Sequence, residues 1–98
     1  MNNLITVVTR FQLPPGLTVE QIRASFEEAA PNFRNVPGLV RKQFLHSQDC
    51  RTAGGVYLWN DEKSARAFMT ERVAPMIRAK FHVDPIIEFY DSPVIVEN

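Results

Sequence analysis

Ninety-eight residues and 11.2 kDa leave room for one domain with a modest core. Eleven Lys and Arg offset eleven Asp and Glu, so the formal charge is zero, which argues against nucleic acid or an anionic membrane as the main partner. One cysteine, Cys50, excludes an internal disulfide; no apolar run nears the roughly 20 residues of a membrane span, and Met1-Asn2-Asn3-Leu4 does not open a signal peptide, so the expectation is a cytoplasmic protein.

Leu4 to Leu13 alternates and is rich in β-branched residues, which predicts a strand. Ile5, Val7, Thr9, Phe11 and Leu13 share its apolar face, and the opposite face is mixed. Pro14-Pro15-Gly16 ends it. Thr18 opens a helix, with Gln21 placed to close a capping box. Val19, Ile22, Phe26, Ala29 and Ala30 form its apolar stripe, and Pro31 ends or kinks it. Leu39 to Ser47 is a second strand, then comes a polar turn, and Gly54 to Trp59 is a third strand, so the two should pair as an antiparallel hairpin.

Asn60 or Asp61 caps the next helix, whose stripe is Ala65, Phe68, Met69 and Val73. Pro75 interrupts it, and a second helical piece runs through Met76, Ile77 and Phe81. Ile86 to Tyr90 is a fourth strand. Val94-Ile95-Val96 is too apolar for a free end and is expected to add a further strand, on this subunit or a partner.

Strand, helix, strand, strand, helix, strand is the ferredoxin-like βαββαβ order of an α+β fold, with a four-stranded antiparallel sheet carrying its helices on one face. A sheet with one wet face should alternate cleanly. Here Leu4 and Val8 back onto Ile5 and Val7, and Val56 and Leu58 back onto Tyr57 and Trp59. Both faces are apolar, which predicts a homodimer packed sheet to sheet.

No phosphate loop, metal-ligand spacing or serine triad is present. The candidate chemistry gathers near the hairpin: Arg41, Lys42, Phe44 and His46 on the second strand, Tyr57 and Trp59 on the third. Lys42, Phe44 and His46 share one face and Arg41, Gln43 and Leu45 the other; the register, which the loop leaves open, decides which set joins Tyr57 and Trp59. His46 is the candidate general base, since histidine is the side-chain type that ordinarily suits that role near neutral pH. Tyr57 and Trp59 fit a core or interface more readily than a binding site, and Arg41 and Lys42 fit edge charges that block sheet aggregation.

Val36-Pro37-Gly38-Leu39-Val40-Arg41-Lys42-Gln43-Phe44 resembles the second-strand entry of the YdhR-like monooxygenases. Ala53-Gly54-Gly55-Val56-Tyr57-Leu58-Trp59-Asn60-Asp61-Glu62-Lys63-Ser64-Ala65 resembles their most distinctive stretch, and Phe89 to Val96 the tail of one branch. The resemblance implies a dimeric α+β barrel, whose relatives include oxygenases of aromatic polyketides or quinols that use no metal or flavin. It also implies a pocket between helices and sheet for a small apolar or aromatic ligand, lined by Thr9, Val7, Phe11, Ile22 or Phe26, and Phe68. Within it His46 or Tyr57 would move protons, Arg41 would hold an oxyanion and Trp59 would stack on the ring. The haem-degrading relatives carry an asparagine, a tryptophan and a histidine where this chain has Thr9, Phe68 and Arg78, so haem breakdown is not expected. The expected function is cofactor-independent monooxygenation of a small aromatic or quinol-type compound, with no metal and no cofactor. The alternatives are a non-catalytic binding dimer and a lyase or isomerase of the same fold.

Overall fold

The computed structural model describes residues 3–98; the first two residues of the stretch read for a leader lie outside it. The alternating N-terminal run forms β1 (Ile5–Gln12), and Leu13 continues its inward face into the turn. Thr18 then starts α1 (Val19–Ala29) through the expected capping box: its hydroxyl accepts from the Gln21 amide at 3.1 Å and its own amide donates to Gln21 Oε1 at 2.9 Å. Of the expected stripe, Ile22 is buried and Phe26 packs on the core, but Val19 in the first turn is 50% exposed. Pro31 does not stop the helical path at once. It sits in the first turn of a 3₁₀ segment, Ala30–Phe33, where its missing N–H costs nothing, and that extra turn carries Phe33 over the sheet.

β2 (Leu39–His46) and β3 (Thr52–Trp59) form the antiparallel hairpin. The Ser47 hydroxyl organises the connecting turn by accepting from the amides of Arg51 (3.1 Å) and Thr52 (2.9 Å). Asp61 caps α2 (Glu62–Phe68), accepting from the Ser64 amide at 3.0 Å. Contrary to expectation, Pro75 does not interrupt the helical path beyond α2. Met69–Val73 widens into a π turn, with the Ala74 amide donating to the Met69 carbonyl five residues back. Pro75 therefore falls in the first turn of α3 (Ala74–Phe81), a position that needs no N–H. His82 ends α3 in the left-handed conformation, and β4 (Ile86–Asp91) closes the sheet.

The strand order is β2-β3-β1-β4, all antiparallel, which is the ferredoxin-like α+β arrangement. Val7, Tyr57, Trp59, Ala65, Met69 and Val73 are buried between sheet and helices. On the opposite face Val8, Val56 and Leu58 are half-buried, while Leu45, Ile86 and Tyr90 are exposed. The segment Val94–Val96 forms no strand within the chain; Ile95 lies against this open face beside Leu58 and Arg41. No helix among the described residues is long and apolar enough to cross a membrane.

Candidate functional site

The hairpin register settles what the sequence left open. Lys42 lies opposite Tyr57, Phe44 opposite Gly55 and His46 opposite Ala53, so the Lys42 set shares the helix-covered face with Tyr57. Arg41 lies opposite Leu58 and so belongs to the open face. A bulge at Val40 adds one residue to β2 and brings Leu39 onto the inner face together with Lys42, three positions on. Without that extra residue, Leu39 would face the same way as Arg41.

A small cavity of about 60 Å³ lies between this part of the sheet and the helices. Of the residues expected in the pocket, Thr9, Phe11, Phe26 and Tyr57 line this cavity. Lys42, Phe33 and Phe44 line it too, and the resemblance placed none of these three in the pocket. Val7 is buried beneath the helices away from it. Trp59 and Phe68 pack on each other at 5.6 Å between ring centres, outside the cavity wall. His46 does not line the cavity and stands 6.3 Å from Phe26 between ring centres; its Nδ1 donates to the Ser47 carbonyl at 2.8 Å. The grouping of His46, Arg41 and Tyr57 as one constellation is therefore corrected by the register and by this spacing.

Lys42 is the unusual feature. Its Nζ stands 3.6 Å from the ring centres of both Phe33 and Phe44 and 4.7 Å from that of Tyr57. The ion pairs of the described residues are Arg23–Glu27, Arg66–Glu62 and Arg78–Asp84, so no carboxylate compensates it. Gly55 makes the space: a Cβ there would lie 3.1 Å from Lys42 Cε and 3.2 Å from Tyr57 Cε1. Removal from water pushes the Lys42 amine down to about 7. The ring faces pull the other way, because their quadrupoles favour the ammonium. Burial pushes the Tyr57 phenol up to about 12, so at neutral pH it is a donor and not a base. The Thr9 hydroxyl is buried beside it and makes no hydrogen bond of good geometry. Among the described residues no group of His, Cys, Asp and Glu side chains is arranged to hold a metal.

The buried amine carries a stability signature. Lys42 binds fewer protons folded than unfolded between pH 7 and its ordinary 10.5, so stability rises with pH across that window. Lys42→Met should remove this rise and be the more stable protein at pH 7 and below, by on the order of 3 kcal/mol. Tyr57 gives the opposite slope above its ordinary 10.0, so urea unfolding of both proteins between pH 6 and 10 is the clean comparison. Parallel pH profiles would show that the amine is not desolvated.

Residues 8–88 match the family described as "Putative mono-oxygenase ydhR". The chain belongs to the YdhR mono-oxygenase family. No curated protein matches it. Among solved structures, NE2512 of Nitrosomonas europaea, a protein of unknown function, is 17% identical with a TM-score of 0.77, over 99% of this chain and 96% of that one. SnoaB of Streptomyces nogalater, a cofactor-independent oxygenase, is 19% identical with a TM-score of 0.69, over 98% and 99%. The ActVA-Orf6 monooxygenase of Streptomyces coelicolor, in complex with nanaomycin D, is 17% identical with a TM-score of 0.68, over 98% and 92%. At these identities the likeness is one of fold.

Proposed function

We propose that this YdhR-family protein is a homodimeric, cofactor-independent monooxygenase acting on a small aromatic or quinol-type compound between the sheet and the helices. The observation that carries the reading is the cavity. Its wall is mostly aromatic and aliphatic, yet Thr9, Ser25, Lys42, Tyr57 and Lys80 bring polar groups to it. An apolar pocket with a few converging polar groups is the arrangement expected of an enzyme site. The family description and the cofactor-independent oxygenase among the fold neighbours support the same chemistry.

A compound that forms an electron-rich anion can pass an electron to dioxygen directly. The radical and superoxide then combine as a peroxide, which loses water. For an activated methylene the balance is R₂CH₂ + O₂ → R₂C=O + H₂O, with both electron pairs drawn from the substrate. The protein has to hold the anion out of water and manage one proton.

A volume of about 60 Å³ holds roughly two waters, so a ring enters only as the wall yields. Lys42, Met76 and Lys80 are the unbranched wall side chains that can swing aside. The second subunit covers the open sheet face, where Val8, Val56 and Leu58 already form an apolar strip. Zero net charge removes long-range repulsion between the copies.

Oxygen uptake with a panel of hydroquinones and anthrones tests the reading. The expected result is uptake of one dioxygen per anthrone converted to its quinone. Binding of several compounds with turnover of none would leave a binding protein in place of an oxygenase.

A further inference from the structure

We propose that Lys42 is the proton acceptor of this pocket, that Lys42 and Lys80 together hold the resulting oxyanion, and that the ligands are therefore phenols and enols taken up as their anions. The inference rests on the oxygenase reading for the fate of the anion, and its test is run without oxygen so that the two fail separately.

The cavity wall contains two amines and no carboxylate. Lys80, on α3, and Lys42, on β2, both line it, so the helix layer and the sheet each bring a positive charge to a mostly apolar space. Such a space disfavours a cationic ligand and leaves a neutral one without a partner for the amines. A flat anion satisfies both: its ring lies against Phe26 and Phe44, and its oxygen meets the amines. An aromatic carboxylate would meet the same charges, but it brings no proton. The surroundings of Lys42 favour a ligand that does.

Lys42 Nζ is packed among three rings with no acid beside it, and its removal from water brings the amine down to about 7 in the free protein. Proton transfer from a bound phenol to the amine turns two neutral groups into an ion pair. The rings of Phe33, Phe44 and Tyr57 then stabilise the ammonium half. The titratable groups around it are compatible with that role. Tyr57 stays protonated and can donate to the same oxygen. Lys80 adds a second positive charge to the lining. His46, on β2, packs near Phe26 and is not part of the cavity lining. The step is a simple exchange: the O–H bond of the ligand breaks, an N–H bond forms on Lys42, and no electrons leave either partner.

Para-nitrophenol under nitrogen is the probe, because its phenolate is yellow and it is not oxidised. Below the phenol's own pKa, the protein should turn the solution yellow on binding. Lys42→Met should bind it about tenfold more weakly or worse, and colourless. Lys42→Arg keeps the charge but gives up no proton, so it should bind added phenolate without extracting a proton from the phenol. Para-nitrobenzoate should bind more weakly than the phenol to the native protein. The proposal is overturned if the native protein binds no para-nitrophenol or binds it colourless. It is equally overturned if Lys42→Met matches the native affinity, or if the carboxylate is the tighter ligand. A yellow complex in a protein that consumes no oxygen with any anthrone keeps this inference and removes the oxygenase reading.

Discussion

Gly54→Ala should cost at least about 3 kcal/mol, a large share of the roughly 5–15 kcal/mol that holds a domain of this size together. A Cβ on Gly54 would stand 1.9 Å from the Thr9 carbonyl oxygen and 2.8 Å from its carbon. Those atoms are backbone of β1, a central strand, and no side chain can rotate away to relieve them. The only relief is to move β3 away from β1, breaking ladder hydrogen bonds in the middle of the sheet. Gly55, one residue on, makes the contrast. Its added Cβ would meet the Gln43 carbonyl at 3.1 Å and two side-chain atoms at similar range, of which the Lys42 stem is flexible. Gly55→Ala should therefore cost nearer about 1 kcal/mol while pushing Lys42 out of its ring cage. Urea unfolding midpoints for the two variants check the difference. A Gly54→Ala protein with a near-native midpoint would show that the strands do not approach so closely.

These two glycines also mark where local sequence signals stop. The order of elements was legible because alternation, capping residues and prolines are local signals: Thr18 caps the first helix as expected, and of the two candidates Asn60 and Asp61 it is Asp61 that caps the second. The inner face of β1 was legible because Ile5, Val7, Thr9 and Phe11 alternate without interruption. The site was legible only in part. Lys42 has the sequence context of an edge charge, and β2 is indeed an edge strand; what turns the amine inward is the pairing with Tyr57, fixed by a Ser47-centred turn whose geometry the sequence does not declare. The bulge at Val40 changes which residues face inward, and nothing local marks it. Phe33 reaches the site because the chain makes one more 3₁₀ turn after Pro31, a residue that usually signals an end. The alternation of Lys42 with Phe44 toward one side, where an edge strand is covered, was the one available hint.

Val8→Asp should separate the subunits while leaving each one folded. Val8 is on β1, faces away from the helices, and lies directly opposite Val56 on one side and Glu88 on the other. In a sheet-to-sheet dimer the new carboxylate would be buried against apolar side chains and beside a second carboxylate. Two-fold symmetry would repeat the cost in the other copy, so the dimer should weaken by about a thousandfold or more, roughly 4 kcal/mol. Leu58→Asp on β3 is the gentler version, because Arg41 stands directly opposite and can pair with the new charge. Its dimer should weaken less, and that ranking is specific to the proposed face. The core beneath is untouched in both variants, since Val7, Tyr57 and Trp59 point the other way, so circular dichroism should remain native. Sedimentation at micromolar concentration reads the outcome. A native protein that sediments only as an 11.2 kDa species would remove the dimer altogether. Two variants that both remain dimeric would place the interface elsewhere. Monomers that keep their fold but lose the yellow para-nitrophenol complex would show that the second subunit braces the sheet against which Lys42 is held.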